Sequence, residues 1–183
     1  MNKILKRIFL ILSVLLALLL IVMLSFRISF LLSLSDYEKS IRSAFSKLSS
    51  DNEIFNYYYS YGFFDTMHSF VIYDSTSDDI KNIRNVIDAR NIKLPKIQDN
   101  NIIIKGLDLL IFTVERDSND MYKLNKDLFE SLQAQDDFIF VPEHESEKGY
   151  RYYQKEGNIT LSGYLLFPRI NKIAYIQVDV YNE

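Results

Sequence analysis

The chain has no cysteine and no tryptophan, and its 183 residues include only five glycines, three prolines and two histidines. Each shortage closes off some chemistry. Without cysteine there is no disulfide, no thiol nucleophile and no cysteine-linked lipid anchor. Five scattered glycines do not build a phosphate-cradling G-x-x-x-x-G-K-[ST] loop. Two histidines, with no HExxH spacing, do not supply a recognisable metal-ligand set. Neither a metal nor another cofactor is therefore expected. The scarcity of glycine and proline also argues against a disordered chain. Acidic residues are missing altogether from the first 35 positions.

That acid-free beginning holds the longest apolar run. Residues 8–24 read IFLILSVLLALLLIVML, with Ser13 as the one polar member. Extended to residue 26, the run gives roughly 28 Å of helix, close to the ~30 Å hydrocarbon core of a bilayer. It is apolar on every side, whereas a helix lying on a soluble core shows one apolar stripe. Ile8, Leu12, Leu16, Leu20 and Leu24 mark the expected membrane anchor. Lys3, Lys6 and Arg7 precede it and only Arg27 follows closely, so the positive-inside rule places the N-terminus in the cytoplasm. A cleaved signal peptide is the rival reading, but its apolar region is shorter, about 7–15 residues, and ends at an A-x-A-like site. Here the exit reads MLSFRISF. The expected organisation is a cytoplasmic N-terminus at 1–7, a transmembrane helix at 8–26, an interface connector at 27–35 and an extracytoplasmic domain at 36–183. This is a single-pass protein of a cytoplasmic (inner) membrane with a periplasmic or extracellular body.

All 24 acidic residues and all but four of the 21 basic ones follow Ser35, so the body is net −7. A body of that sign repels nucleic acid and anionic lipid heads, and no nucleic-acid partner is expected. The bilayer is the expected partner of residues 8–26, and a protein that of the body.

Ser35-Asp36-Tyr37-Glu38 has the capping-box pattern, and Tyr37, Ile41, Ala44, Phe45 and Leu48 follow at helical spacing. Ser50 and Glu53 suggest a second cap, leading into the most aromatic passage, IFNYYYSYGFF. Residues 67–73 read as a strand. Ser75 to Asp79 then start a helix striped by Ile80, Ile83, Val86 and Ile87. Residues 101–115 are expected to form a short strand, a bend at Gly106 and a doubly covered central strand, LDLLIFTVE. Ser118 or Asn119 opens another helix, with Met121, Leu124, Leu128, Phe129 and Leu132 on its buried side. Strands are expected at 138–141, 150–155, 159–167 and 172–181, the last alternating cleanly with Ala174, Ile176, Val178 and Val180 on one face. The fold class is α+β: one N-terminal transmembrane helix, then a single domain with about three helices on one face of a mostly antiparallel sheet that ends in a β-meander. The first strand–helix–strand unit is a candidate parallel crossover.

Candidate binding residues come from two places. Tyr57, Tyr58, Tyr59, Tyr61, Phe63 and Phe64 offer large contact area with few rotors. Glu143, Glu145 and Glu147 flank His144 in an acidic loop whose carboxylates favour a protonated imidazole. A hydrolytic site would need His68 with Asp65 or Asp74, but no G-x-S-x-G elbow is present and Leu161-Ser162-Gly163 lies within an expected strand. No catalytic residue is assigned. The leading functional expectation is a membrane-anchored, non-enzymatic extracytoplasmic protein-binding domain, one concrete version being an immunity-type inhibitor of an envelope-acting toxin. The alternative is a structural subunit or assembly factor of a bacterial envelope or secretion complex, and an envelope hydrolase ranks third.

Overall fold

In the computed structural model, which describes the backbone of residues 3–60, 67–89, 100–144, 151–153 and 158–181, the element order is α1 (Lys3–Ser33), α2 (Asp36–Ala44), a single 3-10 turn (Ser50–Asn52), β1 (Glu53–Ser60), β2 (Met67–Asp74), α3 (Ser77–Ala89), α4 (Asn100–Asp117), α5 (Asn119–Gln133), β3 (Ile139–Pro142), β4 (Arg151–Tyr153), β5 (Asn158–Phe167) and β6 (Lys172–Tyr181). The chain divides into two units, one up to Asp36 and one from Tyr37 onward.

The first unit is the continuous helix α1, 31 residues long. Its described side chains between residues 12 and 25 are all exposed, among them Leu12, Leu16, Leu20 and Leu24. Ser25 returns its hydroxyl to the Ile21 carbonyl at 2.8 Å, so it adds no outward polar demand. Among the described residues no helix is long and apolar enough to cross a membrane. The side chains described without a break, 12–25, cover about 21 Å at 1.5 Å per residue, short of the ~30 Å that a span requires. The side chains of Lys3, Lys6, Arg7 and Ile8 lie outside those described.

The second unit is built on a six-stranded sheet in the order β1-β2-β6-β5-β3, with β4 also paired to β5. Every described pairing is antiparallel. The β5–β6 hairpin runs in unbroken register from Asn158↔Tyr181 to Phe167↔Lys172. Its turn passes through Asn171 at φ 50°, a left-handed position that asparagine tolerates better than most residues. Together β4, β5 and β6 form the expected meander.

Both faces of the sheet are covered, because alternate residues of β5 and β6 are apolar on both sides. Leu161, Leu165, Phe167, Ala174, Ile176 and Val178 face a core closed by α4 and α5, through Ile103, Leu107, Leu110, Val114, Phe129 and Leu132. Leu166 and Ile173 alternate with them and face a second core closed by α2 and α3, through Ile41, Ala44, Phe45, Ile80, Ile83 and Ile87. Phe45 stacks on Tyr164 at 3.8 Å between centroids. The helix of 77–89 has the stripe and start that its sequence predicts. Thr76 Oγ1 accepts from the Asp79 N–H at 3.1 Å, and Asp79 Oδ2 accepts from the Thr76 N–H at 2.9 Å, a reciprocal cap.

Four expectations are corrected. Residues 101–115 are not strand, bend and strand but part of the single helix α4. Its buried residues Ile103, Leu107, Leu110, Ile111 and Val114 recur at helical spacing, and exposed Ile104 and Phe112 blur that pattern in the sequence. Gly106 is no bend: it lets α4 lie against the sheet, and a Cβ there would come within 2.6 Å of Leu161 Cδ1. The stretch after Ser50 is not a helix but β1, with Phe55 and Tyr57 inward and Ile54, Asn56 and Tyr58 outward. Among the described residues the helices of this unit number four and lie on both faces, and β2 pairs antiparallel with β6, so there is no parallel crossover among the described strands. Leu124, expected inside, is 86% exposed.

The two described glycines of the core predict unequal sensitivities. A Cβ at Gly163 would stand 2.4 Å from the Val141 carbonyl oxygen and 2.8 Å from Pro142 Cα, both backbone. Gly163→Ala should lower stability by about 1–3 kcal/mol, as overpacking does. At Gly106 the nearest atom is the end of a side chain, and alanine gains up to about 1 kcal/mol in helix propensity, so Gly106→Ala should cost less. Urea midpoints of the two variants, at unchanged slope, check the order.

Candidate functional site

A cleft of about 330 Å³ lies between α3 and the end of α2 with the residues that follow it. Its floor is Ala44, Leu48, Ile83 and Val86, and its rim is Ser43, Lys47, Asn52, Asp74, Asp79 and Asn82. The geometry follows from the two helices, which bring their apolar stripes to the sheet and leave the flanks of those stripes facing each other. Asp79 is held ionised by its cap bonds to Thr76, which depress its pKa, with Lys47 adding to the effect. Asp74 accepts from Lys172 Nζ at 2.6 Å. Its volume is at the low end of the range of small-molecule pockets, roughly 300–1,000 Å³.

Beside it on the same face is a polar network centred on Glu143. Glu143 Oε2 accepts from Ser162 Oγ at 2.8 Å and from Tyr175 Oη at 2.9 Å, while Oε1 lies 3.6 Å from Arg42 Nη2. The main chain joins in, since the Glu143 N–H donates to the Ser162 carbonyl at 2.9 Å. Helix α2 grips the same segment at two further points. Tyr37 Oη donates to the Pro142 carbonyl at 2.8 Å, and His144 Nδ1 meets Glu38 Oε1 at 2.5 Å. Burial is the main reason the Tyr175 phenol ionises well above its usual range, with the Glu143 charge adding to it. Burial likewise pushes Tyr164 up to about 12.

This network sets a serine hydroxyl on a carboxylate, with the imidazole of the next residue, His144, bound to Glu38. Acyl transfer needs a base on the nucleophile and donors aimed at a developing oxyanion. The contact His144 makes is with Glu38, and Ser162 sits mid-strand with its carbonyl paired to Glu143. Among the described residues no group of three or more histidine, aspartate or glutamate side chains is placed to hold a metal ion.

The residues singled out from sequence are dispersed. Tyr57 is a core residue, 8% exposed, because it falls on the inward side of β1; its hydroxyl donates to Asp117 at 2.9 Å. Burial chiefly, then the Asp117 carboxylate, raises its pKa. Tyr59 is half-buried, its ring parallel to that of Tyr57 at 6.5 Å. Tyr58, on the outward side, is 55% exposed. Glu143 is turned into the network. Tyr61, Phe63, Phe64, Glu145 and Glu147 lie outside the described residues, as does Asp65. His68 is on β2, half-buried with its Nδ1 unpartnered, and burial lowers its pKa. Asp74 lies six residues further along the strand, roughly 20 Å away at strand rise, and is paired to Lys172, so it does not serve His68. The cleft residues Lys47, Asp79 and Asn82 were missed by sequence reasoning; their only local signal was the cap at Thr76 and Asp79. No protein-family model, curated protein or solved structure matches the chain.

The buried phenols set the alkaline limit of stability. A phenol whose folded pKa lies above the unfolded value of about 10 favours the fold while protonated. That contribution is intact below pH ~10 and is lost as pH rises toward the folded pKa, about 12 for Tyr164. Stability should therefore fall between about pH 10 and 12. Tyr164→Phe should flatten the fall while leaving the neutral-pH stability within about 1 kcal/mol, measured by denaturant titration at each pH.

Proposed function

We propose that the protein is a membrane-tethered, non-enzymatic binding domain whose body engages a protein partner on the extracytoplasmic side through the α2–α3 cleft. The observation that carries the reading is the surface of α1: between residues 12 and 24 its leucines, isoleucine, valines and methionine are more than half exposed on all sides of the helix. Such a surface is stable in hydrocarbon or against other apolar helices and unfavourable in water, at roughly 25 cal/mol for each Å². The basic residues before the run and their near absence after it support a cytoplasmic N-terminus.

Support for the binding role comes from the cleft. Helix α2 begins three residues after α1 ends, so the helix that forms one wall of the cleft follows the tether directly in sequence. The apolar floor admits one or two side chains of a partner, and a body of net −7 favours a partner with a basic surface of its own. An immunity-type inhibitor of an envelope-acting toxin is one form of this role. The role of an assembly subunit differs in using the apolar helix itself as a contact surface, and the run 8–24 has no G-x-x-x-G.

Two measurements test the reading. A single cysteine introduced at Glu130 of this cysteine-free chain should react in intact cells with a membrane-impermeant maleimide, and the protein should resist alkaline extraction from membranes. Protection of that cysteine, or release by alkali, overturns the tether. A photo-crosslinking residue at Asn82 should capture one saturable protein partner, less of it as salt rises, and Leu48→Asp should reduce capture about tenfold or more, as loss of an apolar anchor does. Capture that is unsaturable or unchanged by Leu48→Asp overturns the cleft as the binding surface.

A further inference from the structure

The sheet has one long open edge. Strand β1 ends the order β1-β2-β6-β5-β3, and no described strand pairs with its outer side. The opposite edge is broken into β3 and β4, four and three residues long. Strand β1 has eight residues, and from Ile54 to Ser60 none of them is charged. Natural edges are usually protected by lysine, proline, short length or a bulge. The one irregularity here falls between Glu53 and Phe55, and from Asn56 to Ser60 the register is regular. Half of the backbone N–H and C=O groups of an edge strand point away from its single neighbour and require a partner. On the outward face Ile54 is 42% and Tyr58 55% exposed.

The helix layer continues this surface. Phe129 of α5 meets Phe55 of β1 at 5.0 Å and Phe70 of β2 at 5.9 Å, which places α5 over the edge pair of strands. Leu124 of α5 is almost fully exposed, with Met121 and Leu128 half-buried on the same stripe. Lys123 and Asp127, one turn apart, flank that stripe and are exposed.

We propose that two copies of this chain pair through their β1 edges, antiparallel about a two-fold axis, into one continuous sheet. A second copy is the occupant that these features select. The uncharged strand meets its own image without apposing like charges, and its inward row of Phe55, Tyr57 and Tyr59 continues the row of the other copy. The same axis brings α5 beside α5, where an antiparallel approach centred near Leu124 sets Lys123 of one copy next to Asp127 of the other and covers both leucines. An eight-residue antiparallel edge supplies about eight hydrogen bonds, near the ~10 of an ordinary interface. The α5 flank widens the contact toward the ~800 Å² per partner that a stable dimer buries. The pairing is separate from the α2–α3 cleft and leaves it open.

The test uses the full chain in detergent micelles. Light scattering should give a protein mass of two copies, falling to one on dilution. Tyr58→Lys places a charge on the edge at a side chain outside the core, and should weaken self-association about tenfold or more with an unchanged circular dichroism spectrum. Because the chain has no cysteine, Asn56→Cys and Tyr58→Cys report directly. At least one should give a disulfide-linked dimer under mild oxidation, while Asp88→Cys on α3 should not. A one-copy mass at every concentration overturns the proposal and leaves the edge to a strand from another protein. A dimer that survives Tyr58→Lys, or links equally through Asp88→Cys, overturns it in favour of association elsewhere, α1 included.

Discussion

The structure depends on the β5–β6 hairpin being buried on both faces. Ten residue pairs run from Asn158↔Tyr181 to Phe167↔Lys172, and β2, β3 and β4 pair directly with this hairpin. A hairpin buried on one face only would be complete with one layer of helices. With Leu165 and Ala174 on one side and Leu166 and Ile173 on the other, two layers are required. Helices α4 and α5 supply one, with Gly106 allowing the close approach of α4. Helices α2 and α3 supply the second, and the cleft lies between α3 and the end of α2.

The second face is not apolar along its whole length, and the polar network follows from that. Ser162, Tyr164, Tyr175 and Gln177 share it with Leu166 and Ile173. A buried hydroxyl without a partner costs about 1–3 kcal/mol. Glu143 accepts from two of these hydroxyls, and Arg42 of α2 faces its other oxygen. The carboxylate is thus part of how α2 is fixed to the sheet, and the contact between Glu38 and His144 belongs to the same fastening. Glu143 and His144 thus join α2 to the sheet.

What could be read in the sequence and what could not divide along physical lines. Strand β6 alternates from Ala174 to Val180 between buried apolar residues and Tyr175, Gln177 and Asp179, and α3 has a reciprocal cap before a regular stripe; both were legible. Helix α4 was not, because Ile104 and Phe112 put apolar residues on its solvent side and erased the contrast that reveals a period. Strand β1 failed for a related reason: Tyr57, Tyr58 and Tyr59 are one residue type on both faces, so composition cannot say which is inside. The Glu143 network was invisible because Ser162 and Tyr175 lie 19 and 32 residues away, and no spacing rule connects them. The cleft was equally hidden, since it is made by the divergence of two stripes that the sequence does show.

The three ties from α2 to residues 142–144 have a mechanical meaning. Tension entering from the N-terminal side reaches the second unit through α2. Near that end Tyr37 holds the Pro142 carbonyl, Glu38 meets His144 and Arg42 stands beside Glu143. These contacts lie within about one and a half turns of helix, so they share the load rather than yield one by one. Helix α2 and the end of β3 are therefore fastened to each other at the start of the second unit, where a pull from the N-terminal side would enter it.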